Sequence, residues 1–420
     1  MNKSVRTMQQ DRPDRGKLKV SVLSNLQEIP IDNARVEISY TGDPASTVEE
    51  LITDTSGITD TVDLAAPPID YSLEPGSNQP YSEYTIRVSA SGFETITVSG
   101  SQLLAETTSI QQIRLRPLQP NQPPDTIVIP AHTLYGEYPP KIAENEIKPI
   151  SETGEIVLSR VVVPEIVVVH DGSPRDTTAP DYYVKYKDYI KNVASSEIYA
   201  TWPESTIYAN VLAIMSFTLN RVYTEWYRNK GFNFTITSST AFDHKWMEGR
   251  NIFENISRIV DSVFVNYLSR PNVKQPILTQ YCDGERVTCP NWMSQWGSKT
   301  LGDQGYEAID IIRHYYGDNM YINAAEEVAG IPSSWPGQNL TIGSSGEKVI
   351  QMQEQLNTIA GTYTAIPRVS VDGQFGEETA AAVRKLQEVF DLPVTGVVDY
   401  ATWFKIQEVY VGITRIAELT

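Results

Sequence analysis

Apolar and polar residues alternate along the first hundred positions of the chain. KLKVSVLS (17–24), ARVEISY (34–40), YTIRVSA (84–90) and TITVSG (95–100) place apolar side chains at every second residue, and QQIRLRPL (111–118) closes the series. This period predicts half-buried strands, separated by turn formers at Gly42-Asp43, Ser56-Gly57 and Ser91-Gly92. Their spacing suits a small β-sandwich over 17–118. Two β-branched runs, EIVLSRVVV (155–163) and EIVVVHDG (165–172), predict further strands. The period then lengthens to that of a helix, with Ile190, Val193, Ala194 and Glu197 on one face of YKDYIKNVASSE. Thr201-Trp202-Pro203-Glu204 has the form of a capping box opening a long helix to about Arg228, buried along Ile207, Val211, Ile214 and Leu219. Another helix is predicted over 252–268, and one around IDIIRHYYG (309–317).

The last eighty residues repeat themselves. VDGQFGEETAAAVRKLQEVFDLP (371–393) and VTGVVDYATWFKIQEVY (394–410) each give a glycine turn, an acidic residue, a threonine in N-cap position (Thr379, Thr402) and a short amphipathic helix. Val349, Met352 and Leu356 form the apolar side of a preceding helix. The predicted layout is multidomain: a disordered N-terminus (1–16), an N-terminal all-β sandwich (17–118), a linker (119–160), a central α+β domain (161–325), a second linker (326–339) and a C-terminal small three-helix domain (340–412). Proline is dense from Pro117 to Pro149, which predicts a stiff, exposed, protease-accessible connector.

Composition narrows the function. Hydrophobic residues make up 40% and charged residues 20% of the 420 positions, as in folded proteins. A net charge of −18 opposes binding to nucleic acid or to an anionic membrane surface. The opening MNKSVRTMQQDRPDRGKL lacks the apolar stretch of a secretory leader, so synthesis without a signal peptide is expected. Cys282 and Cys289 make half a zinc site at best; a disulfide across their loop, or two buried thiols, is the stronger reading, and no metal or cofactor is expected.

Residues 340–410 resemble the type 1 peptidoglycan-binding domain, through Gly346 and Val349, Val371-Asp372-Gly373-Gln374-Phe375-Gly376, Thr379, Leu386, Gln387, Thr395-Gly396-Val397-Val398-Asp399 and Thr402-Trp403. Phe375 and Trp403 are candidates to pack beneath a sugar, or to anchor the core. Residues 160–322 resemble the stage II sporulation protein D family of lytic transglycosylases, and within it the clostridial spore cortex-lytic enzymes. The matching blocks are Tyr189 to Glu197 with Trp202-Pro203-Glu204, and Met293-Ser294-Gln295-Trp296-Gly297 with Gly305-Tyr306. Family members carry a glycine- and histidine-rich stretch before the second block; here it reads Thr288-Cys289-Pro290-Asn291-Trp292, so no role of that histidine carries over.

The resemblance implies that Glu197 is catalytic. Glu197 is also the one acid on the Ile190/Val193/Ala194 stripe, and a carboxyl group shielded from water holds its proton more tightly, as a general acid requires. In such a lyase one glutamate protonates the leaving oxygen and then accepts the proton of the muramic acid C6 hydroxyl, closing a 1,6-anhydro ring. Ser294 and Gln295 are candidates to bind hydroxyl or acetamido groups, and Tyr281 and Trp296 to stack on sugar faces. The partners implied are peptidoglycan glycan strands and an activating subtilisin-like protease cutting at about 145–163, and the place of action is the spore. A muramidase-type hydrolase, with Asp243 as fallback second carboxylate, and a non-catalytic wall-binding or coat protein are the alternatives.

Overall fold

The computed structural model describes residues 13–25, 29–119, 124–134, 138–148, 158–331 and 333–414. Of the predicted disordered N-terminus, 1–12 lie outside the described residues, while 14–16 already belong to the first strand. The N-terminal module comprises β1 (Asp14–Ser24), β2 (Arg35–Tyr40), β3 (Asp43–Ile52), β4 (Val62–Ala66), the single-turn α1 (Asp70–Leu73), β5 (Tyr81–Ser89), β6 (Ile96–Leu104) and β7 (Thr108–Leu115). The order β3-β2-β5-β6 forms one sheet and β7-β1-β4 lies in the other. Alternation buries Leu18, Val20 and Val22 against Val36, Ile38, Ile86 and Val98. The pattern of the chain does not reveal β3, because this edge strand is exposed along nearly its whole length and has no apolar face to report.

Beyond β8 (Asp125–Val128) the central domain comprises β9 (Val162–Val163), β10 (Ile166–His170), β11 (Asp181–Lys185), α2 (Tyr186–Glu197), α3 (Glu204–Tyr223), β12 (Ile236–Thr237), β13 (Ile252–Phe253), α4 (Glu254–Val263) and β14 (Asn266–Ser269). It continues with β15 (Tyr281–Cys282), β16 (Met293–Ser294), α5 (Gln295–Asp303), α6 (Ala308–Tyr316), β17 (Tyr321–Ala324) and β18 (Glu327–Val328). Helix α3 is buried almost all round, as a helix at the centre of a domain must be. Buried polar side chains on it reach the 276–277 segment: the Asn220 amide donates to the Pro276 carbonyl at 2.7 Å and the Ser216 hydroxyl to the Ile277 carbonyl at 2.9 Å.

Several predicted boundaries move, each for a physical reason. The capping box does not form: Pro203 is the N-cap of α3, and the Thr201 hydroxyl donates instead to Ser72 of the sandwich at 2.8 Å. The helix predicted over 252–268 shrinks to α4, because its first residues join β7 of the sandwich as β13 (Ile252↔Ile110) and its last pair with β17 as β14. β8 adds to the sandwich beside β6, past the predicted limit at 118. β18 pairs with β9, so the second linker begins within the central domain; its Pro332 lies outside the described residues. The proline-rich connector is no free spacer, since Leu134 and Lys148 are buried against the central domain. Of the predicted cleavage region, 149–157 lie outside the described residues.

The C-terminal module consists of α7 (Glu347–Thr362), α8 (Glu377–Val389) and α9 (Tyr400–Thr414). Its internal repeat is a repeated glutamine clamp. The Gln353 Oε1 accepts from the amide of Gly373 at 2.9 Å while its Nε2 donates to the Gln374 carbonyl at 3.0 Å and to Thr379 at 3.3 Å. Gln387 does the same to Gly396 (2.8 Å), Val397 (2.9 Å) and Thr402 (3.1 Å). The clamped glycines have φ of +70° and +73°, which side chains rarely adopt. Thr379 and Thr402 therefore serve the clamps rather than cap helices. Phe375 and Trp403 are 2% and 0% exposed and anchor the core.

A buried ion cluster fastens this module to the central domain. Lys191 meets Asp261 at 2.6 Å, and Lys187 reaches Asp261 at 3.2 Å and Glu408 of α9 at 2.5 Å. Burial favours the neutral acid, but Lys191, Lys187 and Lys405 outweigh it and hold Asp261 below the usual carboxylate range. Asp261→Asn leaves these lysines uncompensated and is expected to cost about 3 kcal/mol in urea unfolding. Because the folded-state pKa is depressed, the contribution of Asp261 is present above the unfolded value and fades as pH falls below about 4. The wild-type and variant stabilities should therefore converge in acid; a gap that persists there would refute the assignment.

Candidate active site

Glu197 ends α2, and the loop 243–250 docks on that last turn. The Asn192 amide donates to the Met247 carbonyl at 2.7 Å and its Oδ1 accepts from the Met247 amide at 3.0 Å, while Arg250 binds the Ser195 carbonyl. This docking brings the Lys245 amide to Glu197 Oε1 at 2.7 Å. On the other side Gln295 Nε2 donates to the Glu197 carbonyl at 2.7 Å and to its Oε2 at 3.2 Å. Both carboxylate oxygens thus have a fixed donor, and the side chain is 8% exposed.

The second sequence block explains itself residue by residue. Met293 pairs with Tyr281 and Ser294 with Cys282 in a parallel ladder, which sets α5 against the pocket. Ser294 is the N-cap of α5, accepting from the Gly297 amide at 2.8 Å. Gly297 and Gly284 must lack side chains, since a Cβ on Gly284 would lie 1.8 Å from the Ser294 hydroxyl and one on Gly297 would lie 2.2 Å from Tyr315. Trp296 packs on Trp202 with ring centres 4.9 Å apart and on Tyr199 at 6.0 Å and is 3% exposed, so it is a core anchor. Of the candidate residues, Glu197, Tyr281 and Gln295 line one cavity, and Ser294 and Trp296 are not part of that lining. Cys282 and Cys289 form a disulfide that closes the loop carrying Asp283.

Tyr281 is sandwiched between the His244 ring, 5.8 Å away and nearly parallel, and Lys141, whose ammonium sits 4.3 Å from its centre. Burial and the adjacent Glu197 charge push its phenol well above the ordinary range. It remains the neutral donor at any physiological pH. Asp243 is not available as a second carboxylate: fully buried in its loop, it accepts from Arg221 Nε at 2.8 Å and from Tyr227 at 2.6 Å in a structural ion pair.

Two features escaped sequence reasoning. Asp283 lines the cavity with Glu197, while its Oδ1 organises the loop by accepting from the amides of Glu285, Arg286 and Val287 at 2.9–3.1 Å. The connector closes the cavity from outside through His132, Leu134, Tyr138 and Lys141. Burial, helped by the charges of Glu197 and Asp283, raises the Tyr138 phenol; burial lowers the Lys141 ammonium despite the charges of Glu197 and Asp243. His132, desolvated beside Arg250 and Lys245, is pushed down to about 3 and stays neutral. The cavity is partly open to solvent and has a volume of about 60 Å³, room for a few waters, whereas ligand sites run to roughly 300 Å³ or more.

Residues 345–406 match the family model described as "Putative peptidoglycan binding domain". Over this stretch the chain is similar to peptidoglycan-binding domains. Over 75 residues the chain is 39% identical to the zinc D-Ala-D-Ala carboxypeptidase of Streptomyces albus G, a match covering 18% of this chain and 28% of that enzyme. The chain thus spans little more than a quarter of that relative's length. Among solved structures, the SleB N-terminal domain is 34% identical over 18% of this chain and 99% of its own, with a TM-score of 0.16. The minor pilin GBS52 of Streptococcus agalactiae is 13% identical over 27% of this chain and 48% of its own, with a TM-score of 0.18.

Proposed function

We propose that the chain is a peptidoglycan lytic transglycosylase of the spore cortex, made as a zymogen, with Glu197 as its acid and base. The observation that carries this reading is the setting of Glu197: a nearly buried carboxylate held by the Lys245 amide and the Gln295 side chain, facing Tyr281 in a cavity lidded by the chain's own connector. A wall-binding module keeps the polymer at hand. Glu197 donates its proton to the glycosidic oxygen; the C6 hydroxyl of muramic acid then attacks C1 as Glu197 takes the hydroxyl proton back, so no second carboxylate and no water are consumed. Gln295 fixes the carboxyl rotamer, and the neutral Tyr281 hydroxyl supplies a donor beside it. A subtilisin-like protease cutting between the connector and β9 would free the cavity for the cortex glycan during germination.

The test is product chemistry. Wall digested by the cut protein should yield 1,6-anhydromuramic ends in mass spectra and no new reducing ends. One observation favours a second reading, in which Asp283 in the same cavity activates water for hydrolysis. Reducing ends without anhydromuramic acid would select that reading over the lyase.

A further inference from the structure

We propose that the groove filled by residues 142–148 is a subsite for the carboxylate-bearing stem peptides of peptidoglycan, with Arg221 and Arg270 as its anion receptors. The assignment rests on the reading of Glu197 as the centre that cleaves the glycan. The groove is built to hold an extended peptide by its backbone. The Ile142 amide donates to the Ala241 carbonyl at 2.8 Å, and its own carbonyl accepts from Gln280 Nε2 at 2.7 Å. The Glu144 amide donates to Gln280 Oε1 at 2.9 Å, the Glu146 carbonyl accepts from the Leu278 amide at 2.8 Å, and the Lys148 amide donates to Gln275 Oε1 at 2.7 Å. Every second residue is held, as in strand-like recognition of a peptide whatever its side chains.

Specificity comes from the two acids. Glu144 meets Arg221 with both oxygens, at 2.6 and 3.1 Å, and Glu146 meets Arg270 with both, each at 2.7 Å. These are the fork-to-fork pairs by which arginine selects carboxylates. All the receptors belong to the central domain, and all the occupants lie on the N-terminal side of the proposed cut. Once the occupant leaves, the Arg221 side chain, fully buried here, keeps Asp243 at Nε but loses its carboxylate partner at Nη1 and Nη2. A buried cation so deprived favours a replacement anion. The groove is also continuous with the cleavage site: Lys141 lines the Glu197 cavity and the backbone ladder starts at the next residue. A glycan seated at Glu197 would direct its peptide, which offers amides and free carboxylates, along this ladder.

The experiment uses the full chain cut in the 149–157 segment, in the Glu197→Gln background, which removes turnover so that failure of this assignment is read apart from failure of the catalytic one. Calorimetry compares three probes: a disaccharide–tetrapeptide muropeptide, the same compound with its peptide carboxylates amidated, and the disaccharide with only its lactyl carboxylate. The free-acid muropeptide should bind about tenfold more tightly than the amidated form. Arg270→Gln, which leaves Arg221 in place, should reduce that preference and leave disaccharide binding unchanged. Equal binding of the acid and amide forms by the parent protein, a comparison that needs no groove variant, overturns the assignment. A preference that Arg270→Gln leaves undiminished, or one that the lactyl disaccharide matches, overturns it as well.

Discussion

Glu197→Gln in the cut protein is expected to slow glycan cleavage by about a thousandfold while leaving binding to whole wall unchanged. Glutamine keeps the shape and an acceptor oxygen for the Lys245 amide, so the docking of loop 243–250 on α2 should survive. It removes the one group that can give and retake a proton. Cleavage is read by loss of turbidity of a wall suspension, and binding by co-sedimentation. None of the residues lining the Glu197 cavity belongs to the 345–406 domain, so the two readouts separate. Lysis that continues at the parental rate would remove Glu197 from the mechanism and favour a wall-binding role alone.

Cleaving the chain in the 149–157 segment is expected to raise activity about a hundredfold. Under the proposed reading a cavity of about 60 Å³ is too narrow for a sugar, and the intact chain would work only while its connector is lifted. The connector is held on the central domain by the Leu134 amide on the Tyr199 hydroxyl, by Lys141 on the Asp243 carbonyl, and by two carboxylate–arginine forks. A lifted fraction of roughly one per cent would give that hundredfold difference. Glu144→Gln with Glu146→Gln should raise the activity of the uncut chain by weakening the forks. Equal rates for intact and cut protein on the same wall preparation would show that the connector is no lid.

Helix α2 was legible because Ile190, Val193 and Ala194 repeat at helical spacing, and Glu197 stood out as the acid on that stripe. The sandwich strands with one buried face were equally readable. What stayed hidden is held by groups that every residue carries. The connector lies in its groove through backbone amides, and backbone hydrogen bonds leave no trace in a pattern of side chains. Asp243 looks like any loop acid until folding places Arg221 and Tyr227 around it. Thr201 reads as a cap because the competing partner, Ser72, is remote in the chain and belongs to another module. Trp296 reads as a sugar platform because an aromatic beside a polar motif looks the same whether it faces solvent or Trp202.

The pairing of Ile252–Phe253 with β7 also bears on how the chain is made. The sandwich leaves the ribosome first and can fold while the rest is still being synthesised. Its open β7 edge is then a ready template for a two-residue strand that nothing nearby in sequence would hold in place. The central domain so inherits part of its order from a neighbour, and a contact of such long range forms slowly in a chain that starts without it. A protein assembled in this sequence can keep, after its N-terminal portion is gone, a shape that it would be slow to regain from the unfolded state.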